Sequence, residues 1–174
     1  MMRLLTFSFF IFFCTISMGQ EEDPTFPDDF FGRYAGTLQI HTQRGSQEVP
    51  MEFHLMDTDS LGAYQYTLVY GAGDNRQERT YVLLAEDPDH GAYALDERNG
   101  IVLDNTFYEN KLYALFEVQG NLLTTFITLE EDHALFEIVF ANKTLARETY
   151  AVQDSVQVLS YPISTIQKAV LQKQ

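Results

Sequence analysis

The chain of 174 residues has one cysteine, no tryptophan and few cations, with 11 Lys and Arg against 25 Asp and Glu for a formal charge of -14. A nucleic-acid surface needs clustered Lys and Arg to displace phosphate counterions, so no nucleic acid is expected as a partner. Proline and glycine are sparse, at 5 and 10 residues, while 45% of the chain is apolar, which excludes disordered and collagen-like chains and leaves a globular one. The lone cysteine, Cys14, lies in an apolar run near the start. Beyond it no thiol remains for a disulfide or for thiolate catalysis, so the fold must be held by its core.

That apolar run belongs to a segment with the three parts of a secretory signal peptide. Arg3 is the positive n-region, and Leu4 to Ile16 is an h-region shorter than the ~20 residues of a membrane-spanning helix. Ser17-Met18-Gly19 then offers small residues for cleavage before Gln20. Phe12 and Phe13 stand where a lipoprotein signal needs a small residue, so Cys14 is read as a spectator. Export to the periplasm or the extracellular space is the expectation. Loss of residues 1–19 removes Arg3 and no acid, giving 10 minus 25, or -15. This charge favours solubility and disfavours anionic membrane surfaces, and no later segment reaches spanning length. Residues 20–29, with Pro24 and Pro27 among acids, read as an extended, solvated acidic leader, and residues 30–174 as a single domain.

The rest of the chain alternates apolar and polar residues with the period of a half-buried strand. Tyr34, Leu38 and Ile40 alternate with Thr37, Gln39 and His41; Val49, Met51, Phe53 and Leu55 with Glu52 and His54; Tyr64, Tyr66, Leu68 and Tyr70 with Gln65 and Thr67. Turn signals at Gly71 to Asn75, Asp87 to Gly91, Asn99-Gly100 and Gly120-Asn121 separate further strands at 80–85, 92–95, 101–103, 112–118, 122–129 and 134–140. One or two more β segments are expected within 150–159. After Pro162, Ile166, Ala169 and Val170 recur at i, i+3 and i+4, which predicts a short C-terminal helix starting at Ser164. No helix of ten residues or more stands between strands, so a parallel sheet is excluded. The fold class is therefore all-β: an antiparallel up-and-down meander of about eight to ten strands, closed into a barrel that removes its edges.

In this layout the chain resembles the calycin group, the lipocalins and their fatty-acid-binding relatives. The resemblance rests on the export signal, the acidic-aromatic turn Asp28 to Phe31, Gly32-Arg33-Tyr34 where lipocalins carry Gly-x-Trp, and a tail after the run of strands. It implies a late cation packed on the aromatic of that motif, for which Arg147 is the nearest candidate. It also implies an interior that holds one small apolar ligand.

The chemistry-bearing residues give no enzyme motif. His41, His54, His90 and His133 are far apart; His41 and His54 fall on the outward parity of adjacent strands, where they would approach each other only if those strands pair suitably. Asp57 to Gly62 begins like a calcium loop, but Leu61 and Leu68 stand where ligands belong. Glu52, Glu117 and Glu137 occupy mid-strand positions of outward parity, and Gly-x-Ser-x-Gly is absent. Neither metal nor cofactor is predicted. Asn142-Lys143-Thr144 fits the glycosylation acceptor, a three-residue pattern frequent by chance. The inward parity carries the aromatic set Phe53, Tyr64, Tyr66, Tyr81, Phe116, Phe126 and Phe136, the candidate ligand-binding residues. Two readings stay open. One is a non-enzymatic, monomeric, exported barrel binding a small hydrophobic or amphipathic ligand. The other is an envelope structural or interaction domain with a filled core, meeting a basic protein partner through its acidic face or through Tyr108 and Tyr113.

Overall fold

The computed structural model describes residues 24–153 and 155–174; Cys14, the export segment and residues 20–23 lie outside them. Ten strands close into one antiparallel barrel: β1 (Gly32–Thr42), β2 (Gly45–Met56), β3 (Ala63–Tyr70), β4 (Gln77–Asp87), β5 (Ala92–Asp96), β6 (Val102–Tyr108), β7 (Lys111–Val118), β8 (Asn121–Leu129), β9 (His133–Asn142) and β12 (Ile163–Lys173). Each of β1 to β9 pairs with its sequence neighbour, and β12 seals the barrel between β9 and β1. Between β9 and β12 the chain leaves the barrel as a separate hairpin, β10 (Arg147–Tyr150) with β11 (Gln157–Ser160), whose residues are all exposed.

The alternating pattern sets the register. Tyr34 faces Phe53, Phe53 faces Leu68, Tyr66 faces Tyr81, Leu83 faces Leu95 and Phe136 faces Ile127, so one parity of every strand points inward. At the end where β1 begins, that inner face is packed solid. Tyr34, Phe53, Leu55, Leu83, Leu129 and Leu171 are buried there. The turn Asp28–Phe30 closes this end: the Tyr34 hydroxyl donates to the Phe30 carbonyl at 2.6 Å, and the Phe26 ring stacks on Phe107 with centroids 4.0 Å apart.

Two glycines permit this closure. A Cβ on Gly36 would lie 2.3 Å from the Val170 carbonyl oxygen of β12, so only glycine lets β1 and β12 approach. Gly91 ends a short turn at φ +71°, and a Cβ there would meet the Phe107 carbonyl at 2.2 Å.

Three expectations are corrected. The C-terminal helix is instead strand β12, because Ala169 and Leu171 point inward while Ile166, Lys168 and Val170 point outward, and pairing on both sides satisfies its backbone. The leader is not solvated throughout: from Phe26 onward it docks on the barrel, with Pro27 buried. The cation over Tyr34 is Lys173 of β12, its Nζ 5.8 Å from the ring centroid, and not Arg147, which lies exposed in the outer hairpin.

Candidate functional site

At the opposite end the barrel opens. The turns β1–β2, β3–β4, β5–β6 and β7–β8 and the departure of the hairpin after β9 surround a mouth leading into a cavity of about 730 Å³. The volume is in the range of small-molecule sites. Its depth is apolar: Leu38, Leu68, Leu95, Leu123 and Phe136 are all buried, with Tyr66 beside them. Ile40, Val49, Ile101, Val118 and Phe140 surround the upper part, and polar groups enter mainly along one wall and at the rim.

The seven residues of the expected aromatic set divide three ways. Tyr66, Tyr81, Phe116 and Phe136 line the cavity. Phe53 and Tyr64 point inward but belong to the filled end, Phe53 against Tyr34 and Tyr64 against Phe31. Phe126 points outward: Ile127 and Thr125 take the inner parity of β8, and Phe126 packs edge-on against Tyr113 on the outer wall, centroids 5.5 Å apart. In a strand apolar on both faces, parity alone does not say which face is inner.

The polar wall comes from β3 and β4. Tyr66 pairs with Tyr81, Leu68 with Arg79 and Tyr70 with Gln77, three successive rows rising toward the mouth. The Tyr66 hydroxyl has no hydrogen-bond partner among the described residues, yet no buried side-chain polar atom there is left unpaired, so it opens onto the cavity. Burial drives the Tyr66 phenol far above its ordinary value, and Tyr70 and Tyr81 raise it further. Tyr70 is pushed up to about 12 by burial, with the Arg79 guanidinium pulling the other way. Burial and Glu97 raise Tyr81, offset by hydrogen bonding and charge from Arg79. The Arg79 guanidinium carbon lies 5.9 Å from the Tyr70 ring centroid. Sequence reasoning missed Arg79 and Tyr70 as site residues. Tyr70 was legible from the inward alternation of Tyr64, Tyr66 and Leu68, whereas Arg79 is a cation on an apolar parity.

The rim carboxylates are engaged. Glu97 accepts from Asn99 Nδ2 at 3.1 Å, and Glu117 pairs with Lys143 Nζ at 2.5 Å. Asn105, buried in the wall, donates to the Leu103 carbonyl at 2.9 Å. No group of three or more His, Cys, Asp or Glu is placed to hold a metal ion among the described residues. His41 and His54 do not meet: His41 pairs in register with Ser46 near the mouth, and His54 with Arg33 at the filled end. His54 is buried rather than solvated, its Nε2 2.8 Å from Glu52. Among the described residues no helix is long and apolar enough to cross a membrane.

No family model matches the chain, and no curated protein matches it. Among solved structures it is similar to a protein of unknown function from the DUF3598 family of Nostoc punctiforme PCC 73102. The two share 11% identity at a TM-score of 0.49, over 84% of this chain and 48% of the other. The chain thus spans about half the length of that structure. The barrel itself, ten antiparallel strands in up-and-down order, fits a calycin-like fold.

Proposed function

We propose that the protein is an exported, non-enzymatic carrier or sensor that holds one small hydrophobic or amphipathic ligand in the open half of its barrel. The observation that carries the reading is the pairing of a solid end with a cavity of about 730 Å³ whose depth is mostly apolar and whose polar groups lie mainly along the β3–β4 wall and at the rim. A core built only for stability has little use for such a void, since each unfilled volume forfeits packing energy. A pocket with an apolar floor and a few oriented polar groups is the usual form of a small-molecule site. The reading is of a binding protein because the cavity wall offers hydrogen-bond donors and apolar surface but no nucleophile with an adjacent base.

The natural chain has no tryptophan, so Phe116→Trp places a single reporter in the cavity wall. Its emission is expected to shift and saturate at one equivalent as an apolar ligand is added. An unchanged spectrum across a library of apolar and amphipathic compounds would contradict the reading.

A further inference from the structure

The outer wall of the barrel is not uniform. The outward residues of β1 and β2 include Arg33, His41, Glu48, Glu52 and His54, whereas β8, β9 and β12 turn Phe126, Leu135, Val139, Ile166 and Val170 to the outside. Of the fifteen large apolar side chains exposed among the described residues, nine lie between Leu145 and Val170, so they gather on the outer hairpin, its approach and β12 instead of scattering singly. The outer faces of β8, β9 and β12 carry two formal charges, Glu137 and Lys168, and these neutralise each other at 3.2 Å. In a chain of formal charge -14, this is a wall on which a second copy meets no net repulsion.

The wall is also its own complement. Leu135 lies beside Val170, Glu137 beside Lys168 and Val139 beside Ile166, so two apolar rows flank one row of opposite charges. A two-fold axis running along the strands between β9 and β12 would lay Glu137 of each copy over Lys168 of the other, Leu135 over Val170 and Val139 over Ile166. The hairpin β10–β11 leaves the barrel between the same two strands with Tyr150, Val158 and Leu159 exposed, so a second hairpin would lie beside it at the axis. Four strands at about 4.8 Å spacing and about seven residues of rise give a face of about 400 Å². One face of the hairpin adds about 200 Å², and the total of about 1,200 Å² over two copies is at the low end of specific interfaces. We propose that the protein associates with a second copy of itself as a two-fold dimer, through the outer wall of β9 and β12 and the hairpin between them. An interface of this size without large buried anchors gives an affinity in the micromolar range.

The test is sedimentation velocity of the protein purified after export, from low micromolar to submillimolar concentration at physiological salt, where a reversible monomer–dimer equilibrium is expected. Ile166→Glu sets a carboxylate against Val139 of the other copy and should weaken dimerisation at least about tenfold. Val102→Glu adds the same charge on the exposed outer face of β6 and should leave it within about twofold. Glu137→Lys and Lys168→Glu each set like charges across the axis, so each alone should stay monomeric, and an equimolar mixture should recover dimers of one copy of each. These side chains face water, so thermal melts of the variants should follow the wild type, and the melts separate a lost contact from a lost fold. A monomer at every concentration, a dimer that withstands Ile166→Glu, or a mixture no more associated than its components would overturn the proposal. So would a monomer that binds phosphatidylcholine vesicles and loses that binding in Ile166→Glu, since a lipid surface would then be what covers the wall. None of these outcomes bears on the cavity.

Discussion

At the scale of single residues, the filled end depends on Tyr34. Its hydroxyl satisfies the Phe30 carbonyl inside the core, so Tyr34→Phe removes a buried hydrogen bond and is expected to cost about 1–2 kcal/mol in urea unfolding. Lys173→Ala removes a cation–π contact at a more open position and should cost less than about 1 kcal/mol. If the two costs were reversed, the Lys173 contact rather than the hydroxyl would be what secures the plug. The tyrosines of the cavity wall give a pH prediction. Tyr70 ionises near 10 when unfolded and near 12 in the barrel, so the unfolded chain loses its proton first. The contribution of this group to stability is therefore complete below pH 10 and disappears as pH rises through 12. The melting temperature should fall over that interval, and absorbance at the tyrosinate band should show Tyr66 still protonated when exposed phenols have titrated. Tyrosinate formation by all phenols in one step near their ordinary value, with the fold intact, would contradict a buried wall.

At the scale of elements, closure at β12 is the step on which the barrel depends. Gly36→Ala forces a Cβ onto the Val170 carbonyl and is expected to separate β1 from β12, seen as a loss of several kcal/mol and faster hydrogen exchange at the amides of 166–172. The outer hairpin makes the opposite prediction. Arg147 and Ser160 pair directly, so their Cα atoms are about 5 Å apart, and a short turn can replace residues 148–159. The shortened chain should unfold within about 0.5 kcal/mol of the wild type, since every described residue of those two strands is exposed. A large loss would mean that the hairpin supports the barrel. These two elements also show where the sequence was legible. Strands β1 to β3, β7 and β9 follow from their alternation, because a wall with core on one side and water on the other imprints a period of two, and β4, β5, β6 and β8 follow from the turn signals that bound them. β12 did not, because Ile166, Ala169 and Val170 satisfy a helical spacing as well, and their placement was decided by partners more than a hundred residues away in β1 and only some thirty away in β9. Local pattern cannot contain that information.

At the scale of the whole molecule, the barrel is divided along its axis between a solid end and an open one. The inner parity was readable in every strand of the aromatic set but β8, where Phe126 points outward, and through it Tyr66, Tyr81, Phe116 and Phe136 were expected to face the interior, where they line the cavity. The division itself was not, because Phe53 and Tyr64 share that parity and yet serve as packing at the filled end. Which inward aromatics line space and which fill it depends on their height in the barrel, and height is set by registers across all ten strands. Arg79 stayed hidden for a related reason: a cation on an otherwise apolar parity breaks the pattern by which strands are recognised, and a site is where such breaks are expected.

The central claim, that the open half receives an apolar guest while the filled half does not, is tested most directly by methyl NMR of leucine-labelled protein during titration with pyrenebutanol. The account predicts that the methyl signals of Leu38, Leu68, Leu95 and Leu123 shift and saturate at one equivalent, while those of Leu55, Leu83, Leu129 and Leu171 stay in place. Shifts confined to the exposed Leu115 and Leu159, or no saturable shift at any leucine, would contradict it.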